Sequence, residues 1–443
     1  MAVSRKSMTE GSIVKHMVLF ALPIFVSNLF QQMYNAADSL IVGNYLGSEA
    51  LAAVSSSGNL IFMMIGLFNG IAIGAGVVIA RYFGAKNYDK LKRAIHTDVA
   101  FGLIMSVILT IVGVVLAPQI LRLMGTPNSV MVESVKYFRV YFAGSLGLVM
   151  YNIFVGILQS LGDSKHPLYF LVASSIVNIV LDYVLIAWFG MGVEAAAFAT
   201  ILSQFISAFL CMRLLHKSED EYRLEYSMIH LDRELLSEIL RNGIPSGIQN
   251  SITGVANVVV QSNINAFGAL AMAGCGAYSK IEGFAFLPII SFNNAITTFV
   301  GQNLGARKEE RAHKGAMFGI LCSVCIAQLI GWFTVFYAKE LIMLFDTNPD
   351  VVAFGIQRSK IAGYFFFLLA FTHAVSAVKR GAGKPMVPMM VMIVFWCVIR
   401  VSFLTITGAL YHDIQFVFWV YPLTWGLSSL YYVIDGIRHR SLL

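Results

Sequence analysis

The sequence predicts an all-α polytopic membrane protein: twelve transmembrane helices in two six-helix repeats. Three observations predict it. The chain is 58% hydrophobic and only 12% charged, against about 45–50% and about 25% in soluble domains. Its apolar runs do not alternate with polar residues as barrel strands would, so helices are the structures that satisfy their own backbone in lipid. The second half of the chain also repeats landmarks of the first.

A spanning helix needs about 20 predominantly apolar residues. Segments 13–39, 50–80, 91–116, 130–156, 166–188, 193–216, 234–263, 272–302, 312–336, 352–379, 386–410 and 416–437 meet that length. They divide the chain into an N-lobe (1–215), a cytoplasmic linker (216–233, within "HKSEDEYRLEYSMIHLDRE") and a C-lobe (234–443). Most basic residues fall in alternate loops: Arg5, Lys6 and Lys15 at the start, Arg81 to Arg93, Lys165, Arg213 to Arg241, Arg307 to Lys314, Lys379 to Lys384, then Arg438 and Arg440. Loops 43–49, 189–193, 264–270 and 411–415 hold no Lys or Arg. By the positive-inside rule both termini face the cytoplasm. The net charge of +7 is therefore topological, and a nucleic-acid partner is excluded.

The repeat runs in order along the chain. Pro23, Asn28 and Asn35 match Pro245, Asn250 and Asn257. Gly47, Ala50 and Ala52 match Gly268, Ala271 and Ala273, and "RYFGAKNYDKLKRA" matches "QNLGARKEERAHKG". Gly162 and Lys165 are paired with Gly381 and Lys384, a spacing of 219 that sets Val401 opposite Asp182. Six helices per half insert both halves the same way up, related by an axis along the membrane normal, which is transporter architecture.

Charged groups within helices carry the chemistry, because a carboxylate in hydrocarbon must face protein or water, bind a cation or take a proton. Asp38 ends the first helix. "SSIVNIVLDYVLI" places Asn178 and Asp182 four apart on one helix face, and the next helix offers Thr200. This oxygen-only set suits a proton or Na+ and no other metal. In the second half Val260 stands opposite Asp38, and the internal charges are Lys280, Glu282 and Arg400, with His373 beside them. A Glu282–Arg400 pair is open there. These two residues, with Asn35 and Asn257, are candidates for lining a substrate cavity. Pro23 and Pro245 mark equivalent helix bends.

Other chemistry is excluded. The five cysteines lie in or beside apolar runs, and the Cys322–Cys325 motif has no second pair, so they read as buried small hydrophobes. "VKRGAGKP" lacks the first Gly and the Ser/Thr of a phosphate loop. The nine histidines are spread out, and His16, His96, His373 and His412 have no ligand partner at i+4. The sequence thus predicts no enzyme, no cofactor and no obligate protein partner, and any pumping must be driven by an ion gradient.

In its six-plus-six layout, its first helix "LPIFVSNLFQQMYNAADSLIVGNYLG", and the elements "RYFGAKN", "QNLGARKEE", "GILQSLGDSKHP" and "AVKRGAGKPMVP", the chain resembles the multidrug and toxic compound extrusion (MATE) family over essentially its whole length. Within it, the chain looks closest to the prokaryotic DinF-like branch, with an N-lobe cation site on which Asp38, Asn178, Asp182 and Thr200 fall residue by residue. The other bacterial pattern, acids on helices 7 and 10, is absent here. The resemblance implies a MATE/MOP-type fold and a cell-membrane antiporter. It would export organic, cationic amphipathic compounds in exchange for H+ or Na+ by alternating access. The rival it leaves is a flippase for lipid-linked oligosaccharides or cell-wall precursors, which needs a basic cavity.

Overall fold

The computed structural model of the chain describes residues 7–123, 126–411 and 413–439, the side chains at 48, 52, 55–65 and 67 excepted. Arg5, Lys6, His412 and Arg440 lie outside the described residues. Each predicted span is a helix. In chain order they are α1 (Ile13–Leu46), α2 (Ser48–Gly84), α3 (Tyr88–Val115), α4 (Asn128–Ala143 with Ser145–Ser160), α5 (Lys165–Trp188) and α6 (Val193–His216). The second half follows with α7 (Arg233–Asn265), α8 (Ala269–Gly305), α9 (Glu309–Phe336), α10 (Pro349–Gly363 with Phe366–Gly381), α11 (Met386–Leu410) and α12 (Ile414–His439). Among the described residues, seven helices are each long and apolar enough to cross a membrane, and nine spans result when the bent pairs α4 and α10 are counted. The remaining α2, α7 and α12 are helices of 37, 33 and 26 residues, long enough to span at 1.5 Å per residue.

The backbone corrects the repeat register. Left-handed residues recur 221 apart: Gly47 and Gly268, Lys86 and Arg307, Gly162 and Gly383. The breaks in α4 and α10 keep the same spacing, at Gly144 and Phe365, each bonding back three residues. The 219 spacing is therefore wrong. The Gly–x–x–Lys likeness of "GDSK" and "GAGK" drew Gly162 onto Gly381, but the residue that turns the chain with positive φ, which favours glycine, is Gly383. Opposite Asp182 in this register stands Phe403, not Val401.

Two compact units form, one of Val26–Gly243 and one of Met8–Phe25 with Ile244–Leu443. The chain thus passes between them inside α1, just after Pro23, and inside α7, just before Pro245. The linker and the first turns of α7 pack with the first unit, and the start of α1 packs with the second.

Within each unit, small residues let helices approach closely, since packing rather than hydrophobicity drives association in lipid. A Cβ on Gly74 of α2 would lie 2.3 Å from the Gly243 Cα of α7, and one on Gly331 of α9 would lie 2.3 Å from the Gly363 carbonyl of α10. Gly113 leaves the seat that the Phe142 ring fills. Gly74→Ala is expected to cost about 1–3 kcal/mol through overpacking, read as a lower unfolding temperature in detergent. Gly254→Ala, whose new Cβ meets nothing within 4 Å among the described residues, should unfold like the native protein.

The same part of the repeat anchors the chain in both units. In the first, Lys90 and Lys92 of α3 pair with Glu234 and Glu225 at 2.7 and 2.8 Å, and Arg93 Nε donates to Asp232 at 2.9 Å. In the second, Arg311 of α9, 221 residues after Lys90, donates to the carbonyls of Met8, Glu10 and Gly11. Arg93 holds the Asp232 carboxyl below its ordinary 3.8, and Lys92 holds Glu225 below 4.5. A depressed carboxyl contributes stability above its ordinary value and loses it as pH falls through the folded value. The docked linker is therefore held at neutral pH and loosens in acid. Faster amide exchange at 217–232 in acid, reproduced at neutral pH by Arg93→Ala, is the expected result. Equal protection in all three conditions would refute it.

Candidate cation site in the first unit

Three helices of the first unit bring the predicted residues together. Asp38 comes from α1, Asn178 and Asp182 from successive turns of α5, and Thr200 from α6. Asn178 and Asp182 are fully buried, and Asp38 is half-buried. The Asn178 amide bridges the set: its nitrogen donates to Asp38 Oδ1 at 2.9 Å, and its oxygen accepts from the Thr200 backbone N–H at 3.2 Å. Thr200 therefore joins through its backbone. Its hydroxyl donates to the Ala196 carbonyl at 3.0 Å, which leaves that oxygen's lone pairs free to face a ligand.

The Asp38 and Asp182 carboxyls are electrostatic neighbours. Among the described residues, no donor bonds either Asp182 oxygen. A buried carboxylate in that condition is costly unless a proton or cation neutralises it. The donor set is all oxygen, so the residues fit H+ or Na+. Directly after Asp182, the helix widens to i→i+5 turns over Tyr183–Trp188, a distortion that often marks functional positions. Tyr34 of α1 and Tyr137 of α4 stand within electrostatic reach of the acids, with Gln31 and Gln204 against the Tyr34 hydroxyl. Sequence reasoning missed these four. The signal was present for Tyr34, one turn before Asp38, and for Gln204, one turn after Thr200, each on the same helix face as its neighbour.

The second unit has the opposite polarity at the corresponding place. Arg358 occupies the repeat position of Tyr137, and Tyr421 that of Thr200. The Arg358 guanidinium lies 5.3 Å from the centres of the Tyr278 and Tyr421 rings and pairs with Glu282 at 3.1 Å. Arg400 lies 4.8 Å from the Trp396 ring centre and 5.0 Å from that of Tyr421, and donates to Thr424 Oγ1 at 2.8 Å and Asn257 Oδ1 at 3.5 Å.

Glu282 thus pairs with Arg358, not with Arg400. The α8 and α10 helices pack side by side, and Arg358 also reaches the Cys275 carbonyl and Ser279 hydroxyl on α8. Arg358 was missed although it lies inside the span 352–379. Asn35 and Asn257 are exposed. Lys280 is exposed over the Phe345 ring, and His373 packs edge-on against Phe286 and Trp396. Cys322 and Cys397 are half-buried and Cys325 exposed rather than buried; a thiol is at home on the outer face of an apolar span.

Comparison with known proteins follows this division. The MatE family model matches residues 23–184 and again 245–406, one match per repeat. The probable multidrug resistance protein YoeA of Bacillus subtilis is 29% identical over 87% of this chain and 85% of its own length. The probable multidrug resistance protein NorM of Thermotoga maritima is 28% identical over 85% and 82%. An outward-facing MATE family transporter of the MOP superfamily superposes with a TM-score of 0.91 at 24% identity, covering 99% of this chain and 98% of that one. A MOP superfamily transporter from Pyrococcus furiosus, described by a reversed polarity of its binding pocket, superposes at 0.92 and 25% identity over 100% and 99%. With a match over each half, the chain belongs to the MatE family, a multi-pass membrane transporter rather than an enzyme.

Proposed function

We propose that this protein is a secondary active multidrug efflux antiporter, exporting amphipathic organic compounds, cations above all, in exchange for H+ or Na+. One observation carries the reading: Asp38, Asn178, Asp182 and Thr200, spread over 163 positions of sequence, converge on one buried oxygen-lined site. The names of the relatives, multidrug resistance proteins, support the substrate class. The second unit supports the placement of coupling in the first, since two buried arginines against one glutamate repel a cation.

In this mechanism the coupling ion enters at the two carboxylates and neutralises them. Asp38 then loses its reason to hold α1 in the charged arrangement. Fifteen residues separate Pro23 from Asp38, about 22 Å along a straight helix, so the signal travels by movement of α1 as a whole. Pro23 and Pro245 serve as the bends where the chain changes units. Both termini lie in the cytoplasm, and the membrane is the cell membrane.

The flippase reading needs basic groups open to a pyrophosphate. Arg358 and Arg400 are 4% and 0% exposed and lie against aromatic rings, so the antiporter is favoured. The test is uptake of a fluorescent organic cation into proteoliposomes under an imposed pH or Na+ gradient. Uptake driven by one gradient names the ion. No uptake under either, together with scrambling of a lipid-linked sugar, would establish the flippase instead.

A further inference from the structure

Asp98 of α3 has no part in the site above. It is 2% exposed, and its Oδ1 accepts no hydrogen bond from the described residues. It lines a cavity of about 20 Å³ between α2, α3 and α4, together with Asn69, Asn152, Phe68, Phe101 and Met105. That is room for one water-sized occupant. Among the described residues, Asp98 is the one charged residue in the lining, and the half of α4 that faces it, Ser145–Ser160, contains no charged residue at all.

The other charges of α3 nearby are engaged elsewhere. Arg93 bonds Asp232, and His96 contacts the Lys92 carbonyl at 2.6 Å and accepts the Glu225 backbone N–H at 2.9 Å. Asn152 donates one amide N–H to the Leu148 carbonyl at 2.8 Å, which leaves its oxygen as an acceptor and its second N–H as a donor. The repeat position of the second unit differs. The repeat partner of Asp98 is Gly319, where a Cβ would lie 2.5 Å from Ile296 and 2.7 Å from Met17; hydrocarbon fills the position. The cavity with its acid is therefore particular to the first unit, not a by-product of the repeat.

A buried carboxylate with no countercharge requires a proton or a bound cation. We infer that Asp98, with Asn69 and Asn152 beside it, forms a second monovalent-cation site in the first unit, taking H+ or Na+, separate from the Asp38–Asp182 pair. The inference shares with the proposed function only the view that this unit binds the coupling ion.

The test uses the full-length protein in detergent: wild type, Asp98→Asn, Asp38→Asn/Asp182→Asn and the triple variant. Two signals are read. One is infrared absorption of protonated carboxyl groups at neutral pH, and the other is equilibrium binding of radioactive Na+ at alkaline pH. If the occupant is a proton, a carboxyl band survives the double variant and vanishes in the triple. If it is Na+, one bound ion survives the double variant and is lost in the triple. Asp98→Glu should keep the signal, which separates loss of the ligand from loss of the fold. A double variant that already lacks both signals would overturn the inference and leave the proposed function standing. Signals that respond to Asp98→Asn but not to the double variant would do the reverse.

Discussion

Asp38→Asn should reduce gradient-driven uptake to the leak of empty vesicles, with folded protein in the membrane. The substitution keeps the side chain's shape but removes the charge that the ion must neutralise. Coupling between an ion and a transported ligand is typically about 1–3 kcal/mol, or about 5–150-fold in affinity, so its loss is expected to abolish accumulation rather than trim it. Asp182→Asn should behave the same way, and the double variant no worse than either single one, because the two carboxyls act as a unit. Asn178→Ala should be intermediate: it deletes the bridge between Asp38 and the Thr200 backbone but leaves both charges. Substrate binding at equilibrium is the control. A carboxylate that merely braced helices would lower unfolding temperature and binding together, whereas a coupling group spares binding and uncouples uptake from the gradient. Full accumulation by Asp38→Asn would end the proposed mechanism.

The second large effect is on stability. Glu282→Gln removes the anion that pairs with Arg358 at 3.1 Å and leaves that buried guanidinium without its countercharge. Removing one partner of a buried pair typically costs about 3–5 kcal/mol. The variant should unfold at a clearly lower temperature in detergent and accumulate poorly. Replacing both partners, Glu282→Gln with Arg358→Met, should restore most of the loss, since an apolar substitute needs no counterion. A double variant as unstable as the sum of the two single ones would show that the pair is not the unit. Arg400→Met tests the other guanidinium. It surrenders the Thr424 hydrogen bond and two aromatic faces but relieves positive charge, so its cost should be smaller than that of Glu282→Gln.

Much of this was legible along the chain because lipid imposes simple rules. A helix must be long and apolar to span, so the spans coincide with helices. An acid inside such a helix needs a reason, so Asp38 and Asp182 stood out, and the i,i+4 rule tied Asn178 to Asp182. Asp98 was legible in principle but hidden by its neighbours. It follows "LKRAIHT", which reads as the wet end of a helix, and a carboxylate there looks like one more headgroup contact. Arg358 was hidden in the same way by Gln357 and Lys360, and Tyr34 and Tyr137 by the abundance of tyrosine.

By itself, the sequence determined the solvent, the helix count, the twofold repeat and the acids of the first half, because each depends on composition or local period. Only the tertiary structure decided the repeat register, the partner of Glu282, the reversed polarity of the second unit and the cavity at Asp98. Each of those depends on which side chains meet across helices: Glu282 is 76 residues from Arg358 and 118 from Arg400, and nothing in the order of residues ranks the two. Packing ranks them, by setting α10 against α8 and turning the Arg400 guanidinium between the Trp396 and Tyr421 rings.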